Sequence, residues 1–128
     1  MTERLIGTWG CVHSPEGAIP EDRGLFERER LSGVTMPCVA QDEGSLTLDC
    51  RGAFTVRVLP GSFVPRETPD FVWGQPVRIT AKGVDATVSE ICWHGNEGRY
   101  FYHGVDTDGR RLKKRYWAEE LEGRQPWT

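Results

Sequence analysis

The stretch FVWGQPVRITAKGVDATVSEICWH at residues 71–94, followed by YFYHGVDTDGRRLKKRYWAEELE at residues 100–122, decides the fold of the second half of the chain. Apolar residues mostly alternate with polar ones, and Gly, Asn and Asp mark the turns between them. We predict four strands, at residues 72–80, 86–94, 100–106 and 110–117, with turns at 95–98 and 108–109. Val88 and Ile91 interrupt the strict alternation, which predicts a β-bulge. Residues 118–121 are predicted to form a closing turn.

The first half contains one short helix. Ile19-Pro20-Glu21-Asp22 is typical of a helix start, because Pro fits the first helical position and the two acids complement the helix dipole. Ser32-Gly33 is a stop signal, so we predict a helix over about residues 20–31 with Leu25, Phe26 and Leu31 packed inward.

The rest of the first half is predicted to be β-structure. Residues 8–13 suit a short strand, and residues 63–65 an extended segment that returns over the sheet. Between them, alternation with a period of two predicts an antiparallel hairpin over residues 46–58 with one buried face. Its inward-facing residues are Leu46, Leu48, Cys50, Phe54, Val56 and Val58.

A polar, proline-containing segment at residues 66–70 is the best candidate for a domain boundary. We therefore expect a mainly β protein with two small lobes packed together: residues 1–66, which include the short helix, and residues 67–128. At 128 residues in all, each lobe is close to the lower size limit of a stable domain.

Composition indicates a cytoplasmic protein. The chain has no apolar run long enough for a secretory signal or a membrane span, so we expect no membrane association. The four cysteines form no C-x-x-C pair, and we expect them to be reduced and mostly buried. The net charge of −3 disfavours general attraction to nucleic acid.

The second half resembles the SH3-like barrels of the Tudor and KOW group, which implies such a barrel for residues 67–128. The order of its glycines, apolar strand residues, D-G turn and final L-E turn carries the resemblance. The matching residues are Gly74, Val77, Ile79, Gly83, Val88, Ile91, Tyr102, Asp108, Gly109, Leu121 and Glu122. Ala86 departs from the pattern, since a second glycine is usual there. The chain also resembles small bacterial proteins of unassigned function with two such lobes.

No catalytic constellation is evident, and we expect neither enzyme activity nor a cofactor. No nucleophile elbow or phosphate-binding loop is present. Cys11 and His13, together with Cys92 and His94, could in principle bind zinc, but each pair consists of alternate strand residues, so a cysteine in the core and a histidine at its rim is the simpler interpretation.

Aromatic residues form the first candidate binding surface. They could make a cage or a stacking platform for a ligand, or they could pack between the lobes and cover the core. The set comprises Trp73, Trp93, Tyr100, Tyr102, Tyr116 and Trp117.

The basic run at residues 110–115 is the second candidate surface. On a strand, Arg111, Lys113 and Arg115 would share one exposed side. They could contact phosphates or an acidic protein, or they could protect an edge strand from aggregation.

These features favour a non-enzymatic module that binds another protein, as an adaptor or as an immunity-type inhibitor. The alternative is an RNA- or ribosome-binding domain of KOW type that uses the basic strand and the neighbouring aromatics.

Overall fold

The computed structural model describes residues 4–124, and within them the protein is mainly β. The strands form two five-stranded antiparallel sheets, accompanied by one short α-helix and several 3-10 turns. This confirms the predicted fold class. The chain divides into unit 1, Met1–Thr68, and unit 2, Pro69–Thr128, and the division falls within the segment chosen as a boundary from the sequence.

Unit 1 contains strands β1 (Trp9–Cys11), β2 (Met36–Gln41), β3 (Leu46–Cys50), β4 (Phe54–Val58) and β5 (Val64–Arg66). They lie in the order β4-β3-β2-β1-β5. The predicted hairpin is confirmed as β3 and β4, which pair from Leu46↔Val58 to Cys50↔Phe54. Strand β1 is shorter than the predicted 8–13, because Val12 and the residues after it leave the sheet.

The predicted helix over residues 20–31 is shorter and has two parts. Pro20–Asp22 is a 3-10 turn, and only Arg23–Arg28 is α-helical (α1). The helix stops before Ser32-Gly33 because Arg30 takes a left-handed conformation, with φ of 55°. The Leu31 amide then donates to the Phe26 carbonyl, and the Arg30 amide to that of Glu27, which is the Schellman arrangement.

The core of unit 1 lies between helix α1 and the sheet. Phe26 and Leu31 are fully buried there, as predicted, while Leu25 packs against the cluster from its margin. Their buried partners on the strands are Met36, Cys38, Leu46, Leu48, Cys50, Val56 and Val58. Phe26 is therefore the side chain through which the helix joins the apolar cluster of the sheet.

Unit 2 contains strands β6 (Pro76–Ile79), β7 (Val84–His94), β8 (Arg99–Asp106), β9 (Tyr116–Trp117) and β10 (Leu121–Gly123). Strand β6 is shorter than the predicted 72–80, because residues 72–75 form a turn in which Gly74 has φ of 80°. The register of β7 against β8 shifts between Val88 and Glu90, so the predicted bulge is confirmed. The predicted closing turn is the 3-10 turn Ala118–Glu120.

The predicted strand at 110–117 is wrong except for its last two residues. Tyr102 pairs with Tyr116, and Val105 pairs with Arg111 through an isolated bridge. The segment from residue 111 to 116 is therefore two residues longer than the segment of β8 that it faces, from residue 102 to 105. These extra residues push 113–115 out of the sheet. We call residues 113–115 the basic bulge. The alternation expected for Arg111, Lys113 and Arg115 on one side of a strand is therefore absent.

Both units have the same strand topology. In each, the first four strands form a meander and the fifth returns to pair with the first, which gives the orders β4-β3-β2-β1-β5 and β9-β8-β7-β6-β10. A 3-10 turn precedes the fifth strand in each case, at Pro60–Ser62 and Ala118–Glu120. Within residues 4–124, no helix has the length and apolar character needed to cross a membrane.

Asp22 provides a test of how the 3-10 turn is attached to β4. Its carboxylate accepts hydrogen bonds from the Arg57 amide at 2.8 Å and from the Arg57 guanidinium at 3.0 and 3.2 Å. Hydrogen bonding to Arg57 lowers the pKa of Asp22. We expect Asp22→Asn to lower the free energy of unfolding at pH 7 by about 1 kcal/mol, a modest value because Arg57 is partly exposed.

The pH dependence has a defined sign. Because the pKa of Asp22 is lowered in the folded state, its stabilisation is present above the ordinary carboxyl pKa of about 4 and is lost as pH falls through the folded value. Urea unfolding of the wild type and of Asp22→Asn between pH 7 and 3 should show that the difference in their free energies of unfolding becomes smaller as pH falls. Glu21→Gln, at an exposed neighbour, is the matched control and should change stability little. A difference independent of pH would contradict this role for the carboxylate.

Candidate functional site

Strand β8 determines which residues of unit 2 reach the surface. Its side chains alternate between the two faces of the sheet, so Tyr100, Tyr102 and Gly104 are buried. Arg99, Phe101 and His103 point to the opposite, outer face. Strand β7 places Glu90, Cys92 and His94 beside them, because these residues pair with His103, Phe101 and Arg99 respectively.

Three of the predicted binding aromatics are core residues. Tyr100, Tyr102 and Tyr116 are only 6%, 1% and 4% exposed. The Tyr102 hydroxyl accepts a hydrogen bond from the Asp70 amide at 3.1 Å, and its ring packs edge-on against Phe71 with centroids 5.4 Å apart. We therefore remove Tyr100 and Tyr102 from the candidate binding residues, since a ligand on the surface could not reach them, whereas Tyr116 lines a surface depression described below.

The predicted tryptophans are each partly exposed. Trp73 lies in the turn before β6. Trp93 packs edge-on against the buried ring of Tyr100, with centroids 5.0 Å apart. Trp117, on β9, pairs with Phe101 across the sheet and so belongs to the outer face. Of the predicted aromatics, Trp117 is the one that joins the β8 residues described above.

A guanidinium stacked on an indole is the centre of this face. The Arg99 guanidinium carbon lies 3.7 Å from the Trp117 ring centroid. Glu119 holds the same guanidinium through an ion pair of 2.9 Å, and Glu97 approaches it at 3.6 Å. The ring and the two carboxylates together hold Arg99 in one orientation.

A second stack lies beside the first. The Arg115 guanidinium carbon is 4.5 Å from the centroid of Phe101, and the Phe101 and Trp117 rings meet edge to face at 6.4 Å. His94 contacts both rings, and its Nδ1 accepts a hydrogen bond from the Glu97 amide at 3.1 Å. We call Arg99, Phe101, Arg115 and Trp117 the stacked face.

The basic run adjoins the stacked face and carries uncompensated charge. Lys114 forms an ion pair of 3.3 Å with Glu120. Arg110, Arg111, Lys113 and Arg115 are exposed and form no ion pair within residues 4–124. A shallow depression of about 290 Å³ lies here, lined by Phe101, Lys114, Arg115, Tyr116, Trp117 and Glu120.

Among the described residues, the interior of unit 2 contains a small void. It is bordered by Val77, Val88, Tyr102 and Leu121 and has a volume of only about 10 Å³, which is about the space of one water molecule. This void is therefore too small to hold a ligand.

Cys92 lies at the margin of the outer face in a setting that disfavours a thiolate. Burial and the nearby carboxylate of Glu90, whose Oε1 lies 3.9 Å from Sγ, raise the pKa of Cys92 to about 12. Burial lowers the pKa of His103, so this imidazole is neutral at pH 7. The protonated thiol is a poor nucleophile and a poor metal ligand.

The candidate zinc residues do not form a site. Cys11 is buried in β1, and His13 is exposed after that strand. In the part of the chain that the structure describes, no three side chains of Cys, His, Asp or Glu are grouped so that they could hold a metal ion.

Comparison with known families gives one match. A family model described as a family of unknown function, DUF6960, matches residues 9–122. The chain belongs to the DUF6960 family. The matched range of the DUF6960 chain begins at the first residue of β1 and ends within β10, so it includes both sheets and the whole stacked face. None of the curated proteins matches the chain.

Sequence reasoning missed Arg99 and Phe101 in this DUF6960 chain, and it considered His94 only as a possible zinc ligand. The signal was the run RYFYHGVD, in which large residues occupy both faces of one strand. Assigning the tyrosines to the core would have left Arg99 and Phe101 on the outer face with Trp117.

Thiol chemistry tests the description of the cysteines. None of the four forms a disulfide among the described residues; Cys11, Cys38 and Cys50 are buried, and Cys92 is partly exposed. Burial also raises the pKa of Cys11 and of Cys38. We expect native DUF6960 protein at pH 7.5 to react very slowly with Ellman's reagent and the denatured chain to show four thiols at once. Cys92→Ser, as a control, should leave the slow native rate unchanged. One thiol that reacts rapidly in the native protein, and is lost in Cys92→Ser, would contradict the protected environment of Cys92.

Proposed function

We propose that this DUF6960 chain is a non-enzymatic binding module, built from two SH3-like lobes, which recognises another protein through the stacked face of unit 2. The four cysteines, which form no disulfide among the described residues, support a reducing, cytoplasmic location. An adaptor and an immunity-type inhibitor would use the face in the same way, by covering it with a partner.

Strand topology supports the SH3-like part of the proposal. Each sheet is a four-stranded meander whose fifth strand returns to the first after a 3-10 turn. In unit 2, residues from all five strands border the central void: Val77, Val88, Tyr102, Tyr116 and Leu121. A sheet whose first and last strands face the same small core is strongly curled, as in a small barrel.

The stacked face is the observation that carries the binding proposal. Protein interfaces are enriched in Arg and aromatic residues, and the residues that dominate their affinity are most often Trp, Tyr and Arg. Here Arg99 and Trp117 are already stacked at 3.7 Å, and Arg115 is already placed over Phe101. A face ordered before binding loses less conformational entropy when a partner arrives.

Charge indicates the kind of partner. Arg110, Arg111 and Lys113 extend the stacked face with exposed cations whose side chains form no ion pair with a described carboxylate. An acidic surface on the partner would match them and would speed association through electrostatic steering. The role is proposed to be binding alone, and the protonated thiol of Cys92 supports this because it is a poor nucleophile.

RNA binding is the second candidate, and the basic bulge is the observation that favours it. Exposed cations beside aromatic rings are typical of surfaces that bind single-stranded nucleic acid. Against this, acidic residues are as numerous as basic ones in Pro69–Thr128, and the whole chain is acidic. A polyanion would therefore meet a locally positive strip on an otherwise balanced surface, which favours a protein partner.

Affinity capture from host lysate with variant baits tests the proposal. We expect the wild-type bait to retain a specific protein after nuclease treatment, and Arg115→Ala and Trp117→Ala baits to lose it, because each removes one stacked pair. Lys82→Ala is the matched control: it removes one exposed charge from the turn between β6 and β7 and should retain the protein.

The outcomes separate the two functions. A protein held equally by all four baits would contradict a role for the stacked face. RNA binding would be the better explanation if retention disappears with nuclease or moderate salt and requires Arg111, Lys113 and Arg115 together.

A further inference from the structure

The depression beside the stacked face has an apolar wall and a cationic rim. Phe101 and Trp117 form the wall, and the side chains of Lys114 and Arg115 form the rim. At about 290 Å³ it lies at the lower end of the size range of ligand pockets, so it suits a side chain better than a cofactor.

The charges at the rim are not equally available. Glu120 accepts a hydrogen bond from the Trp117 amide at 2.8 Å and pairs with Lys114 at 3.3 Å, so this lysine and this carboxylate neutralise each other. Arg99 is likewise held by Glu119. Arg115 differs, because it is exposed and forms no ion pair with any described residue.

Arg115 is also oriented to receive an anion. Phe101 supports one face of its guanidinium at 4.5 Å, which leaves the edges with their N–H groups open to solvent. A planar guanidinium binds a carboxylate through two parallel hydrogen bonds, and a guanidinium already placed on a ring loses less freedom in doing so. One anionic group can therefore bind at Arg115 while an apolar group enters the depression.

We infer that the partner presents an acidic–hydrophobic peptide segment, whose carboxylate binds Arg115 and whose adjacent apolar side chain packs against Phe101 and Trp117. This inference rests on the proposed protein-binding function and defines the chemistry of its partner. A single carboxylate fits better than the several phosphates of a nucleic acid, because Lys114 is already paired with Glu120 and Arg115 alone among the described lining residues is a cation without an ion pair.

Synthetic peptides provide the test. We would titrate ¹⁵N-labelled full-length protein with acetyl-Ser-Glu-Phe-Glu-Leu-Ser-amide and follow the Trp117 indole N–H, assigned by its absence in Trp117→Phe. A second peptide replaces both glutamates by glutamine, and a third replaces phenylalanine and leucine by alanine. Single-stranded oligouridylate is titrated in parallel.

We expect the glutamate peptide to shift the Trp117 indole signal and each altered peptide to bind about tenfold more weakly, since a charge-assisted hydrogen bond or a buried apolar side chain is lost. Arg115→Ala should lower the affinity for the glutamate peptide by a similar factor, and Arg115→Lys should recover only part of that affinity. Lys82→Ala should change the affinity for the glutamate peptide by less than about twofold, as expected for a distant exposed charge. Arg115→Glu should reverse the preference, toward a peptide with lysine in place of glutamate. Thermal melting of each variant confirms that it is folded.

Several results would overturn the inference. Equal affinities for the glutamate and glutamine peptides would show that the carboxylate is not recognised. An unchanged affinity of Arg115→Ala for the glutamate peptide would show that Arg115 does not bind the carboxylate. Tighter binding of oligouridylate at the same indole would assign the face to RNA. If no peptide binds but capture of a protein still requires Trp117, protein binding stands and the acidic–hydrophobic class is wrong; if both fail, the proposed function is wrong as well.

Discussion

The two-residue period of β8 is the constraint on which unit 2 depends. Because Tyr100, Tyr102 and Gly104 must face the core, Arg99, Phe101 and His103 are forced to the outer face. A shift of one residue in the pairing with β7 would exchange the two sets, burying a guanidinium and exposing two tyrosines. The bulge between Val88 and Glu90 shifts the register of β7 by one residue, so that Val88 and Ile91 both face the core although they are three residues apart.

Local patterns in the sequence were sufficient for elements whose contacts are close along the chain. The hairpin β3–β4 and the bulge in β7 follow from apolar spacing that can be read within a few residues. The run at 110–117 could not be read in this way, because Arg, Leu and Lys alternate there much as in a strand, while its actual path depends on Tyr116 and Arg111 both pairing with β8. Tyr and Phe likewise suit either face of a sheet, so Phe101 could be assigned to the outer face only after the tyrosines on both sides of it had been assigned to the core.

Stacking alters what the cations of unit 2 can do. An unsupported arginine explores many rotamers, whereas Arg99 is held between the Trp117 ring and Glu119, and Arg115 lies on Phe101. The charge of the Arg99 guanidinium is neutralised by Glu119, and this side chain acts mainly to fix the Trp117 indole. The Arg115 guanidinium is supported without being neutralised. The extrusion of residues 113–115 produces this difference, because it lifts Arg115 out of the β9 ladder and allows it to fold back over the β8 ring.

The return of each fifth strand to the first has a consequence for biosynthesis. Strand β1 leaves the ribosome well before its partner β5, which ends at Arg66, and the first sheet can be completed while most of the second is still being translated. Strand β6 likewise cannot pair with β10 until Leu121–Gly123 has been translated. Pairing of strands so far apart in sequence is a late and slow step of folding. A nascent chain that stops before Leu121 would leave β6 with an unpaired edge, open to self-association or to recognition by a chaperone.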